Sequence, residues 1–269
     1  MQELFERRLE VGGHRTRALE VDGEGPGIVL LHGWADSADT WRPLLAELDA
    51  SARRAIAVDL PGFGEASRLQ SGALLPQLDA FAAELVGEWA GGRPVVVAGT
   101  SLGGTLALRM AERGELPLAG VVPVAPAGLE LPGWFDAIER DPIVRKLLSV
   151  PLPVPGALVR GALADASPRE AQRAAADAFA FHDPAVAGLL RSGRRLLPEL
   201  STAPFDLGGI ECPVLLVWGT RDRELPHTRA RIALGRLPTT NVELIEGCGH
   251  FPQLEATGRL LELLLPFPA

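Results

Sequence analysis

Five continuous apolar runs of strand length punctuate this chain, each bounded by glycine, proline or aspartate. They are GIVLLHG (27–33), AIAVD (55–59), PVVVAG (94–99), LAGVVPV (118–124) and PVLLVWG (213–219). A strand with one wet face alternates apolar and polar residues. These runs do not alternate, so each predicts a strand covered on both faces, as in a parallel sheet between two helical layers. The intervening segments supply the helices. TWRPLLAEL (40–48), Leu75–Ala90, Ser101–Arg113, His227–Leu237 and Phe251–Leu265 repeat apolar residues at helical spacing, with Leu78, Phe81, Leu85 and Trp89 on one face. Residues 7–11 and 14–21 do alternate, around Gly12-Gly13, and predict an opening hairpin. Val242–Ile245 adds a last strand. The expected fold is α/β: a mostly parallel central sheet of about eight strands with helices on both faces.

The strand–helix rhythm breaks once. Residues 128–208 hold prolines, including PLPVP (151–155), and short amphipathic pieces without a clear strand. They read as a helical cap inserted into a core made of residues 1–127 and 209–269.

Bulk composition removes several functions. The net charge is −8, which excludes the clustered lysine and arginine that nucleic acid requires. The Arg7–Arg8 and Arg194–Arg195 pairs are short and read as solvated. MQELFERRLEV carries no apolar signal core, and the longest apolar run is too short to span a membrane. Cys212 and Cys248, the two cysteines, make no disulfide framework. The expected setting is cytoplasmic.

One turn carries chemistry. GTSLGG (99–104) stands where the run ending at Ala98 meets a helix, so it fits G-x-S-x-G in a strand–turn–helix context. Such a turn forces the serine into a strained backbone, and glycines two residues away on either side avoid collision. A serine hydroxyl needs a base. Of five histidines, His14 reads as solvated in the hairpin turn, His182 falls in the cap, His227 near a helix start, and His32 at a strand end. His250, in EGCGHFPQLE, alone sits on a glycine-rich loop after a late strand. Asp222, in WGTRDRELP, is the expected orienting carboxylate, with Glu224 as a rival. The order Ser101, Asp222, His250, each after a different strand, makes the three a nucleophile, orienting group and base. Leu102 and Trp34 are the expected backbone oxyanion donors. Asp59 reads as part of a polar network under the site, and Cys248 as a small buried residue. The scattered histidines give no metal-ligand pair, and no cofactor is expected. Trp34, Trp134, Phe135, Leu147 and Phe179 are candidate walls of an apolar pocket.

LHGW (31–34), DLPGFG (59–64), GTSLGG, WGTRDRELP (218–226) and GCGHFPQLE (247–255) together resemble the α/β-hydrolase superfamily over nearly the whole chain. The resemblance implies a triad of Ser101, Asp222 and His250 acting on a small-molecule acyl substrate, with Trp34 and Leu102 at the oxyanion. Within the superfamily, HGW, ADSADTW and a capped middle look most like small esterases and cofactor-free perhydrolases. Carbon–carbon bond hydrolases share SLGG but carry HGxGPG, which is missing here. Dehalogenases and epoxide hydrolases place aspartate where Ser101 stands. The expected activity is cleavage of a small, apolar carboxylic ester by a monomer or homodimer. The alternatives on the same residues are a carbon–carbon hydrolase, a lactonase or a perhydrolase; a non-catalytic ligand receptor with this fold is the alternative of another class.

Overall fold

Gly12 and Gly13 adopt φ of +56° and +72°, the left-handed pair that a tight hairpin between right-twisted strands requires. They join β1 (Phe5–Val11) to β2 (His14–Val21). The structure, a computed structural model, describes residues 4–48, 53–129, 163–164, 169–180, 195–196, 198–200, 205–228, 237 and 240–268. The remaining strands are β3 (Gly25–Leu31), β4 (Arg53–Val58), β5 (Val95–Thr100), β6 (Leu118–Val124), β7 (Val214–Gly219) and β8 (Thr240–Ile245). They form one eight-stranded sheet in the order β1-β2-β4-β3-β5-β6-β7-β8. β2 runs antiparallel to both neighbours, and every pairing from β4 to β8 is parallel.

The unbroken apolar runs are explained by burial on two sides. Ile28 and Leu30 of β3 enter one core with Trp41, Leu44, Leu45, Leu260 and Leu264. Val29 and Leu31, the alternate residues, enter the opposite core with Leu78, Phe81, Leu85 and Leu106. The helices between these layers and the strands are α1 (Arg42–Glu47), α2 (Leu75–Ala90), α3 (Leu102–Arg113), α4 (Arg169–Ala180), α5 (Pro252–Glu255) and α6 (Thr257–Leu264). In the register Leu31 lies beside Gly99, Thr100 beside Val124, and Gly219 beside Ile245. The strand ends are therefore level, and the loops that follow them share one rim, on either side of the point where the chain leaves β4 on one flank of β3 and re-enters as β5 on the other.

The structure revises several expectations. The segment expected to be one helix over 40–48 opens as a 3-10 turn, Ala38–Trp41, because Ser37 caps Asp39 before Arg42 and Pro43 open α1. The closing helix expected over 251–265 is broken at Ala256 (φ −145°, ψ 45°) into α5 and α6. His14 is buried, not solvated; it meets the Phe81 ring edge-on and Ser67 Oγ at 3.3 Å, because α2 and the loop after β4 cover the hairpin. His227 and Thr228 are helical, and residues 229–236 of that expected helix lie outside the described residues. Most of 128–208, His182 included, lies outside them as well; among the described residues of that stretch, α4, 195–196 and 198–200 are helical, and Ala171 and Ala175 of α4 pack on Phe251 and Leu254.

Below the rim lies a buried charge cluster. Arg17, 1% exposed, gives Nε to Asp59 Oδ2 at 3.0 Å and Nη2 to Asp39 Oδ2 at 2.6 Å. Asp59 also accepts the backbone N–H of Ala38 and of Glu65, both at 2.8 Å. One guanidinium thus ties β2 to the loops after β3 and β4. Arg17→Met would leave the buried Asp59 without its cation and Asp39 with Arg42 alone, and breaking a buried pair costs about 3–5 kcal/mol. Urea denaturation at pH 7 should show that loss. Asp39 is held below the ordinary carboxylate range: burial alone raises it, but Arg17 and Arg42 outweigh that. Its contribution is therefore present above the unfolded carboxylate pKa and fades as pH falls, so the deficit of the variant should shrink in acid. A loss under about 1 kcal/mol at pH 7 would mean that the cluster is not a stability element.

Candidate active site

Ser101 joins β5 to α3 in a single residue. Its φ of 52° and ψ of −110° lie outside the ordinary helical and strand regions, and such strain persists only where its surroundings enforce it. Three backbone bonds do so: Ser101 N–H to Val124 O at 2.9 Å, and Thr105 and Ala127 N–H to Ser101 O at 3.0 and 3.2 Å. The glycines are required by contact. A Cβ on Gly99 would fall 2.3 Å from the Gly103 backbone, and one on Gly103 would fall 2.2 Å from Leu31 O. The helix can therefore approach the sheet only where side chains are absent. Ser101 itself stays half-buried at the rim.

Asp222 and His250 are brought together. His250 Nδ1 lies 2.8 Å from Asp222 Oδ2. The other carboxylate oxygen accepts the N–H groups of Glu224 and Leu225, each at 2.9 Å. The Asp222 side chain is 0% exposed and that of His250 is 7% exposed. An acceptor-only carboxylate facing Nδ1 requires the proton there, which leaves Nε2 as the basic nitrogen. Burial alone would lower the imidazole pKa, but the charge and hydrogen bond of Asp222, helped by Glu224 and Glu255, raise it above the ordinary histidine value. Glu224, the rival carboxylate, makes no hydrogen bond with His250; burial raises its own pKa above the ordinary carboxylate range.

The His250 loop is packed against β7, and the segment that follows it reaches β5. Gly219 meets it so closely that a Cβ would fall 2.1 Å from Gly249 O, and Arg221 N–H reaches Cys248 O at 2.8 Å. Cys248 is buried as expected, and burial raises its thiol pKa. Two further residues, unmarked in the sequence reading, hold the loop. Glu255 accepts N–H groups from Gly249 and Phe251 at 3.1 Å and from Ala164 at 2.8 Å. Gln253 accepts from the Thr100 hydroxyl at 3.1 Å, one residue before Ser101. The signal was present in PQLE, but only a folded loop shows a helix-borne acid turning back on it. Ser101 and His250 thus share one rim through Thr100 and Gln253. Among the described residues, the Ser101 hydroxyl makes no hydrogen bond.

The two N–H groups expected to receive an oxyanion belong to Trp34, in the loop after β3, and Leu102, at the start of α3. His32 is fully buried; its Nε2 accepts Leu60 N–H at 2.8 Å, so Nδ1 carries the proton and donates to Gly33 O at 2.7 Å. In a trans peptide the next N–H points away from that carbonyl, so the Trp34 N–H points away from the His32 ring. Gly33 packs directly on Ser101, where a Cβ would lie 3.4 Å from the serine Cβ. Leu102 opens α3, so its N–H belongs to the first turn that has no helical acceptor. The Trp34 ring is 37% exposed and stands open at the rim, not in a core. Trp134, Phe135 and Leu147 lie outside the described residues, as does the side chain of Phe179. Asp59 occupies a polar network, as expected for it, with Arg17 and the Ala38 N–H.

Residues 28–263 match the sequence model of the alpha/beta hydrolase family. The pimeloyl-[acyl-carrier protein] methyl ester esterase of Xanthomonas campestris pv. campestris (strain B100) is 30% identical over 257 residues, covering 93% of this chain and 98% of that protein. The dihydrolipoyllysine-residue acetyltransferase component of the acetoin cleaving system of Pseudomonas putida is 29% identical over 283 residues, covering 97% of this chain and 68% of that one. Among solved structures, a membrane phospholipase A superposes with a TM-score of 0.79 at 25% identity, covering 97% of this chain and 84% of its own. A serine hydrolase involved in carbazole degradation has the same fold, with a TM-score of 0.79 at 22% identity and 98% coverage of both chains.

The Asp222–His250 bond makes a direct prediction. In Asp222→Ala the pKa of His250, followed by NMR titration of its ring protons, should fall below its wild-type value. An unchanged titration would show that the aspartate does not govern that imidazole.

Proposed function

The chain belongs to the alpha/beta hydrolase family, and on that premise we propose that it is a serine esterase acting through an acyl-enzyme. The observation that carries this reading is the buried Asp222–His250 pair, at 2.8 Å, on the same rim as a serine with φ of 52°. His250 Nε2 takes the Ser101 proton as Oγ attacks the acyl carbonyl. The N–H groups of Trp34 and Leu102 receive the developing oxyanion. His250 then gives its proton to the leaving alcohol oxygen, the ester C–O bond breaks, and water repeats the sequence to release the acid. Asp222 keeps the imidazole in the required tautomer throughout.

The substrate class proposed is a small, neutral, apolar carboxylic ester. Support comes from the exposed Trp34 ring, from Phe251 edge-on to His250 at 5.1 Å, and from the acidic groups Glu224 and Glu255 nearby, which disfavour an anionic group there. The methyl ester esterase relative agrees with an ester bond as the target. Residues 128–208 are proposed as the cap over this pocket, in keeping with α4 packed on the His250 segment.

A fluorophosphonate probe should label Ser101 in the wild-type protein and not in Ser101→Ala. Turnover of 4-nitrophenyl esters should fall by roughly 10³-fold or more in that variant, with the melting temperature retained. Retained turnover would overturn the mechanism. Faster turnover of lactones or ring-fission diketones than of any ester would replace the proposed substrate class, and absence of both labelling and turnover would favour a ligand receptor.

A further inference from the structure

A line of fully buried side chains joins three loops beneath the site. The Thr100 hydroxyl donates to Gln253 Oε1 at 3.1 Å, and Gln253 Nε2 donates to the Thr40 hydroxyl at 3.0 Å. An amide has one accepting end and one donating end, so the line has a direction: Thr100 to Gln253 to Thr40. Thr40 has accepted one bond and still has its own proton to give. Facing it is the carboxyl of Asp36, also fully buried. Asp36 Oδ1 takes the Ser37 N–H at 2.8 Å, while Oδ2 has no hydrogen-bond partner. The Thr40 hydroxyl meets this carboxyl as a hydrogen-bonding partner, and the buried Oδ2 is the acceptor left for its proton.

We propose that Asp36 is a positioning residue, which closes this line by taking the Thr40 proton and so holds the 33–40 loop in register with Ser101 and His250. The inference rests on the esterase reading above. It gives each loop a tie: Thr100 precedes the nucleophile, Gln253 follows the base by three residues, and Asp36 follows Trp34 by two. Asp39 and Asp59 are the charged groups facing Asp36, and both are engaged by Arg17; among the described residues no cation is bonded to Asp36 itself. Burial, with those two carboxylates adding to it against the Ser37 and Thr40 contacts, raises the Asp36 carboxyl to about 7. A protonated Asp36 keeps an accepting carbonyl oxygen but loses the charge that strengthens the Thr40 bond. The end of the line therefore weakens as pH falls through that range.

The test uses 4-nitrophenyl ester hydrolysis by the full chain. Thr40→Val and Asp36→Asn should each lower kcat about tenfold at pH 8, with KM changed less than about twofold. Thr40→Ser, which keeps the hydroxyl, should recover kcat to within about threefold, and the double variant should lose no more than either single one. Wild-type kcat should show an added step of about tenfold near pH 7, beside the His250 limb, and Asp36→Asn should lack it. A second readout is independent of turnover. The folded state holds a proton on Asp36 that the unfolded chain releases, so raising pH from 5 to 8 costs wild-type stability and spares Asp36→Asn. The melting temperature of that variant relative to wild type should rise across this interval. Wild-type kcat and pH profile in both variants, with Ser101 still labelled by fluorophosphonate, would overturn the proposal; so would additive losses, or a flat stability difference. Loss of labelling in the wild-type protein would instead overturn the esterase reading.

Discussion

A chain that passes from β5 into α3 through one residue leaves no space for a side chain at Gly99 or Gly103. Everything at the rim depends on that closeness. It drives Ser101 into a left-handed backbone and lays Gly33 against its Cβ, and it aligns the start of α3 with the loop that holds Trp34. The level ends of the parallel strands then bring the loops after β7 and β8 to the same rim. Position is thus set by backbone packing before any catalytic side chain is considered.

The polar residues beneath the rim act on backbone more than on ligand. His32 spends both ring nitrogens on peptide groups, and Glu255 spends its carboxylate on three N–H groups. Arg17 and Asp59 bind the loops after β3 and β4 to the hairpin. Such groups are affordable in a dry interior only when they are mutually satisfied. Among the described residues, Asp36 Oδ2, Trp41 Nε1 and Arg53 Nη2 depart from that rule.

Much of this was legible in the residues. Apolar runs without alternation implied strands covered on two faces, and Ile28 and Val29 do enter opposite cores. Gly12-Gly13 implied the hairpin, and G-T-S-L-G the sharp turn. The pairing of Asp222 with His250 also followed from order and loop placement, and the structure brings those two side chains into contact. Three features were hidden. His14 looked exposed because a hairpin turn usually is, yet α2 covers it. The final helix looked continuous because LEATGRLLELL keeps helical spacing through Ala256. Gln253 and Glu255 went unmarked, because nothing local distinguishes a side chain that turns inward.

Sequence alone determined the layered α/β architecture, the sharp serine turn and the residue types gathered at the strand ends, because periodicity and glycine requirements act over a few neighbouring residues. Tertiary structure alone decided which polar groups meet. Thr40, Thr100 and Gln253 are separated by tens of residues or more, and only sheet register and loop packing bring their donors and acceptors within hydrogen-bond distance.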